Sequence, residues 1–150
     1  VKQIPALRCP FSIARQEFHR SAEVRLVGRE RERSAIHDYL HSNDTRALYV
    51  CGTPGTGKTA FASAEIKGPV INCVSDREFF DGLVRHVPGF CKENVLITRP
   101  SSGCFAFDEV DQLAERHPRL FRMLLEWSRE GLVKVICIAN TLDLTIKHLP

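Results

Sequence analysis

The chain has 150 residues, of which 43% are hydrophobic and 26% charged, and its formal net charge is +3. These values are typical of one globular domain with its own core, and they argue against a dedicated nucleic-acid-binding arm. The sequence shows no secretory signal and no long apolar run, and its six cysteines have no CxxC or metal-ligand spacing. We therefore expect a soluble, intracellular protein with reduced thiols and no membrane association.

The first third of the chain is rich in charge. An extended lead-in over 1–10 precedes a predicted helix over 11–22, a short segment over 23–27 and an amphipathic helix over 29–41. Arginines and glutamates alternate here: Arg8, Arg15, Arg20, Arg25, Arg29, Arg31 and Arg33 with Glu17, Glu23, Glu30 and Glu32. This mixture favours a solvated, salt-bridged helix surface, and a face that contacts DNA phosphates is the alternative.

A complete phosphate-binding loop, GTPGTGKT, follows the first predicted core strand. The strand is expected over 47–51 and the next helix over 59–65, with Gly52, Thr53, Pro54, Gly55, Thr56 and Gly57 between them. In such a loop, backbone N–H groups surround a β-phosphate at the start of a helix, and glycines allow the required backbone angles and close approach. Lys58 would reach the β- and γ-phosphates, and the Thr59 hydroxyl would ligate Mg²⁺. The alternative is a glycine-rich turn with an incidental lysine.

The rest of the chain alternates strands with helices. Strands are predicted over 70–74, 103–108 and 133–139, and helices over 76–86 and 118–129. This order predicts a three-layer α/β fold with a parallel sheet. Cys51, Cys73, Cys104 and Cys137 fall one in each of the four candidate strands, as small buried apolar residues do. Trp127 shares an apolar helix face with Leu124 and Leu125, which favours a core position over contact with a partner subunit.

Polar residues follow two of these strands. Asp108 and Glu109 end an apolar run, at the edge where ligands bind in open α/β sheets. Asp108 would hold Mg²⁺ through water, beside Thr59, and Glu109 would polarise the attacking water. A helix N-cap with an acid in its first turn is the alternative. Asn140 follows the next strand and could contact the γ-phosphate or the water, unless it is an ordinary turn asparagine.

Six segments in this order resemble a known family, the AAA+ replication initiators that comprise cell division control protein 6 and the largest subunit of the origin recognition complex. They are LVGRE (26–30), GTPGTGKTA (52–60), Asn72-Cys73, FDEVDQL (107–113), LLEW (124–127) and IANTLDLT (138–145). The resemblance covers roughly 26–150. GTPGTGKT is shared by many ATPases, whereas DEVDQL together with ANTLDLT is specific to this branch.

The resemblance implies a P-loop NTPase domain with ATP and Mg²⁺ as cofactors. Leu26 and Val27 would lie beside the adenine, and the loop through Ala60 would hold the phosphates. Glu109 and Asn140 would act in hydrolysis, and Thr59 and Asp108 would hold the metal. Family members assemble with origin recognition complex subunits on origin DNA in the nucleus and help load the MCM helicase.

Family members also continue beyond the point where this sequence stops. They add a fifth strand, an arginine finger, a helical lid and a winged-helix domain. We therefore expect residues 1–150 to form an AAA+ nucleotide-binding domain truncated before the lid, with 1–25 as an N-terminal extension. The spacing between Val74 and Gly103 also leaves little room for the DNA-contacting insertion of initiators.

Such a chain should be monomeric when isolated, bind nucleotide weakly and hydrolyse little ATP, because catalysis in this class needs an arginine from a neighbour. Alternatives are another AAA+ remodelling or signalling P-loop ATPase, a small-molecule kinase, or a scaffold that binds no nucleotide. The last is opposed by the presence of Lys58, Thr59, Asp108 and Glu109.

Overall fold

The computed structural model describes residues 2–4, 29–66, 68–93, 100 and 102–140. The predicted helix over 11–22 and the segment over 23–27 lie outside these residues. The strands are β1 (Lys2–Ile4), β2 (Leu48–Cys51), β3 (Val70–Asn72), β4 (Cys104–Asp108) and β5 (Lys134–Ala139). The helices are α1 (Glu30–His41), α2 (Lys58–Ile66), α3 (Asp76–His86), α4 (Val110–Arg116) and α5 (Pro118–Arg129).

The five strands form one all-parallel sheet in the order β1-β2-β5-β4-β3. Strand β5 therefore lies between β2 and β4, and Cys137 is in register with Tyr49 on one side and Phe107 on the other. Because all strands run the same way, the residues that follow β2, β4 and β5 meet at one edge. This arrangement confirms the predicted α/β fold with a parallel sheet.

Helices cover both faces of the sheet, as the continuous burial along β2, β4 and β5 requires. One face packs on α3, α4 and α5 through a core that includes Tyr49, Phe107, Cys137, Leu124 and Trp127. The other packs on α1 and α2 through Val50, Ile136, Ile138, Ile36 and Phe61. The predicted three layers are thus present. Trp127 is 0% exposed, which confirms its core position.

The structure differs from the predictions at short elements. Strand β3 ends at Asn72 rather than at Val74, which is half exposed. The lead-in contributes β1, although three residues carry no periodic pattern. Helix α4 was not predicted, since seven residues are too few for a clear helical period. None of the helices in the described ranges is both long and apolar enough to cross a membrane.

One glycine allows a close packing contact on the outer strand of the sheet. A Cβ at Gly82 in α3 would lie 2.6 Å from the Cγ2 atom of Ile71 in β3. That distance is shorter than carbon atoms tolerate, so a larger residue would push α3 away from the sheet. Both Ile71 and the neighbouring helix residue Leu83 are buried.

Candidate nucleotide-binding site

The loop between β2 and α2 has the backbone shape that its glycines predict at two positions. Gly55 and Gly57 have φ values of +78° and +76°, in the left-handed region that favours glycine. Gly52, for which we expected similar freedom, has no positive φ. It instead contributes its carbonyl oxygen, which accepts a hydrogen bond from Lys58 at 2.7 Å. The Thr56 hydroxyl closes the loop by donating to the Thr53 carbonyl at 2.7 Å.

Lys58 is the first residue of α2 and lies within the site with only 6% of its surface exposed. Its ammonium group donates to the carbonyls of Gly52 at 2.7 Å and Thr53 at 3.0 Å, and to Asn140 Oδ1 at 3.0 Å. Burial lowers the pKa of Lys58, and the negative charges of nearby carboxylates oppose that shift. The lysine therefore joins the phosphate loop to the end of β5.

Thr59 and Asp108 lie next to each other, as the sequence predicts for residues that share a cation. The Thr59 hydroxyl donates to Asp108 Oδ2 at 2.6 Å. The other carboxylate oxygen, Oδ1, accepts the backbone N–H of Glu109 at 2.9 Å. Asp108 is 5% exposed. The last residue of β4 is thus fixed against the first turn of α2.

Glu109 has an unusual backbone conformation, with φ +56° and ψ +39°. Within the described ranges it alone among non-glycine residues has a positive φ. Left-handed geometry costs a non-glycine residue about 1–3 kcal/mol and persists where the surroundings hold it. Glu109 occupies the N-cap position of α4, but its side chain does not cap the helix. Its Oε2 atom accepts from Asn140 Nδ2 at 3.2 Å, so the N-cap alternative does not explain this acid.

Asn140 follows β5 and links the loop before α2 to the residue that follows β4. Its Oδ1 accepts from Lys58, and its Nδ2 donates to Glu109. Its side chain thus bridges two residues of the site, as a simple turn asparagine would not. Its backbone N–H donates to Asp111 Oδ2 at 3.3 Å.

Asp111 is the member of this cluster that sequence reasoning missed. It lies in the first turn of α4 and is 8% exposed. The available signal was its position in the FDEVDQL segment, two residues after Glu109. That spacing does not reveal that its carboxylate contacts the residue after β5, because the contact depends on how β4 and β5 pair.

The remaining predicted contacts are covered only in part. Leu26 and Val27 lie outside the described residues. Ala60 is half-buried in the first turn of α2. Among the arginines predicted to lie on a solvated surface, the Arg33 Nε atom pairs with Glu65 at 2.8 Å, which agrees with a salt-bridged surface on α1. Arg29 instead is buried, with 9% of its surface exposed, and its Nη1 atom lies 3.8 Å from Glu32, so the prediction of a solvated position is wrong for this residue.

The oxygen atoms of Thr59 and Asp108 suit a hard cation that is held mainly by a bound phosphate. In the described part of the chain, no three His, Cys, Asp or Glu side chains are grouped to hold a metal by themselves. Mg²⁺ is ordinarily bound through one or two protein oxygens together with phosphate and water oxygens. The adjacent oxygens of Thr59 and Asp108 fit that pattern, beside a loop whose backbone can receive an anion.

Comparisons with known proteins show which proteins this chain is similar to. Over 164 aligned residues the chain is 33% identical to the human cell division control protein 6 homolog, in an alignment that covers 84% of this chain. Over 172 residues it is 28% identical to cell division control protein 18 of Schizosaccharomyces pombe, with 90% of this chain covered. No protein-family model matches it.

The chain spans only 28% and 30% of the lengths of these two relatives. The chain therefore belongs to the family of cell division control protein 6 and the largest subunit of the origin recognition complex.

Proposed function

We propose that this chain is the ATP- and Mg²⁺-binding module of a replication initiator that helps load the MCM helicase at origins. The observation that carries the proposal is the meeting of Lys58, Thr59, Asp108, Glu109 and Asn140 at one edge of the sheet. These residues come from a loop and two strands that are far apart in the sequence, and each has the chemistry that nucleotide binding requires.

The phosphates of ATP would lie against the loop at the start of α2. Backbone N–H groups in this loop and the positive end of the helix favour an anion there. Lys58 would exchange at least one of its three acceptors for a phosphate oxygen. The contact to Asn140 Oδ1 is the most readily exchanged, because a side chain can turn away while the Gly52 and Thr53 carbonyls belong to the loop.

Thr59 and Asp108 would hold the cation, Thr59 through its hydroxyl and Asp108 directly or through water. A bound Mg²⁺ would neutralise charge on the phosphates. The 2.6 Å contact between these two side chains supports the assignment, because it already brings two oxygens together beside the loop.

Glu109 would orient the water that attacks the γ-phosphate and accept its proton. In the present arrangement its carboxylate is held by Asn140, so hydrolysis requires that contact to change or to be shared with the water. We expect hydrolysis by the chain alone to be slow, because an arginine supplied by a neighbouring subunit commonly stabilises the transition state in such ATPases.

The proposed partners are origin recognition complex subunits, the MCM helicase and origin DNA, in the nucleus. Family membership supports this part of the proposal. The main alternative is a different AAA+ remodelling or signalling ATPase. An initiator should change its assembly with origin complex subunits and DNA when ATP is added, whereas a remodeller should form rings without DNA.

The first test is a titration of the chain with fluorescent ATP and Mg²⁺. We expect saturable binding by the wild type and none by Lys58→Met at the same concentrations. Lys134→Met is a matched control, because Lys134 also donates to two backbone carbonyls but lies at the opposite end of β5. Equal binding by the wild type and Lys58→Met would contradict the proposed site.

A second variant separates binding from hydrolysis. Glu109→Gln keeps the shape of the side chain and an oxygen that can accept from Asn140, but it removes the base. We expect it to bind ATP about as well as the wild type and to lose hydrolysis measured in the presence of partner subunits. Undiminished hydrolysis by Glu109→Gln would assign the base to another residue.

A further inference from the structure

Asp111 is buried with one carboxylate oxygen unpaired. Its Oδ2 accepts the backbone N–H of Asn140, whereas its Oδ1 is buried and has no hydrogen-bond partner among the described residues. Leaving a buried carboxylate oxygen without a donor is costly. A residue kept only for stability would be expected to satisfy both oxygens, so the arrangement calls for another explanation.

The charge of Asp111 acts on the same site. Burial lowers the pKa of Lys58, and Asp111 is one of three carboxylates, with Asp108 and Glu109, whose charges act in the opposite direction. Asp111 thus lies close enough to Lys58 to affect it, although it makes no hydrogen bond with it. Among the residues that the structure describes, the hydrogen bond that links its side chain to the site is the one with Asn140.

Asn140 is held from two sides by residues two positions apart in the chain. Glu109 contacts its side chain, and Asp111 contacts its backbone N–H. The Glu109–Asp111 segment begins α4 and has a left-handed residue at its start. Because this segment is short and fixed, a contact to the backbone of Asn140 also limits where the Asn140 amide can point.

We propose that Asp111 is a positioning residue, which orients the Asn140 amide between Lys58 and Glu109 by holding the backbone at the end of β5. Its consequence for nucleotide rests on the proposed function, since Asn140 would then meet the γ-phosphate in the orientation that Asp111 sets. Its effect on Asn140 itself does not depend on nucleotide.

The variants follow from the geometry. Asp111→Ala removes the acceptor, whereas Asp111→Asn keeps an oxygen at nearly the same place and removes the charge. Gln112→Ala is the matched control, because Gln112 is the next residue of α4 and its side chain is exposed. If circular dichroism shows that Asp111→Ala does not fold, Asp111→Ser is used, since its shorter side chain withdraws the acceptor from Asn140.

The first measurement is made without nucleotide. The side-chain amide resonances of Asn140 in a ¹⁵N–¹H NMR spectrum report its orientation. We expect Asp111→Ala to shift or broaden them, and Asp111→Asn and Gln112→Ala to leave them close to their wild-type positions. Unchanged Asn140 side-chain resonances in Asp111→Ala would overturn the proposal, even if the variant were less stable.

The second measurement is the dissociation constant for ADP divided by that for ATP, which reports how much the γ-phosphate adds to binding. A hydrogen bond from Asn140 to that charged phosphate would raise the ratio roughly tenfold. We expect Asp111→Ala to lower this ratio as much as Asn140→Ala does, and the double variant to lower it no further. Additive effects would mean that Asp111 acts independently of Asn140, which contradicts a positioning role.

A wild-type chain that bound neither nucleotide would refute the proposed function. The resonances of Asn140 would still decide whether Asp111 positions it, so the two failures are distinguishable.

Discussion

Replacing Lys58 with methionine should separate binding from stability. Lys58 is 6% exposed, and its ammonium group makes three hydrogen bonds. Losing them costs about 1 kcal/mol each, up to about 3 kcal/mol in total. Removing a buried charge returns several kcal/mol of desolvation, although Asp108, Glu109 and Asp111 lose a nearby cation. Because these effects oppose each other, the unfolding free energy of Lys58→Met should differ from that of the wild type by no more than about 2 kcal/mol in either direction.

The same substitution should have a large effect on phosphate binding. An ammonium about 4 Å from a phosphate charge contributes about 4 kcal/mol at the effective dielectric constant of a site near the surface. Since every 1.4 kcal/mol is a factor of ten, Lys58→Met should weaken ATP binding by several hundred-fold. Lys58 is therefore expected to serve binding rather than stability.

Urea unfolding and nucleotide titration on the same preparations provide the assay. The pH dependence gives an independent check, because burial lowers the pKa of Lys58 below its ordinary value near 10.5. In the folded state the lysine loses its proton first, so wild-type stability relative to Lys58→Met should rise with pH between the lowered pKa and 10.5. A loss of more than about 4 kcal/mol in Lys58→Met, or a difference that falls with pH in that window, would refute the reasoning.

Three further predictions concern the rest of the fold. Trp127→Ala should cost about 3–5 kcal/mol in urea unfolding, because the ring is fully buried, and a stable folded variant would contradict its core role. Tyr39→Phe should cost about 1–3 kcal/mol, since the hydroxyl bonds both the N–H and the carbonyl of Val135 at 3.0 Å, and an unchanged denaturation midpoint would refute this. The hydrogen bond from His117 lowers the pKa of Asp76 below 3.8, so its stabilising effect should be present above pH 3.8 and be lost as pH falls through the lowered pKa. Asp76→Asn should therefore lose less stability than the wild type as the pH falls below 3.8. The same loss in both proteins would show that the contact between Asp76 and His117 does not contribute to stability.

The main elements of the fold were predictable because each produces a long or distinctive pattern. The cores of β2, β4 and β5 are apolar runs, and α3 and α5 have apolar residues at helical spacing. The order of the strands is not contained in any local pattern. It depends on which edges pair, and placing β5 between β2 and β4 is what brings Asn140 to Lys58.

The sequence predicted which residues form the site better than it predicted the contacts between them. Loop chemistry and the polar residues after strands identify Lys58, Thr59, Asp108, Glu109 and Asn140 as neighbours at one edge. Which side chain bonds which depends on backbone details such as the left-handed Glu109, which no propensity favours. Asp111 was missed because its partner, the backbone N–H of Asn140, comes from the end of a strand distant in the sequence.

The most direct test of the central claim is to record which backbone amides of the ¹⁵N-labelled chain shift when ATP and Mg²⁺ are added. The account predicts that the largest NMR shifts fall on Gly55 to Thr59, on Glu109 and on the side-chain amide of Asn140, and that Lys58→Met abolishes them. Shifts centred elsewhere, such as around Asp76 at the start of α3 and His117 at the end of α4, or an unchanged spectrum at saturating nucleotide, would contradict it.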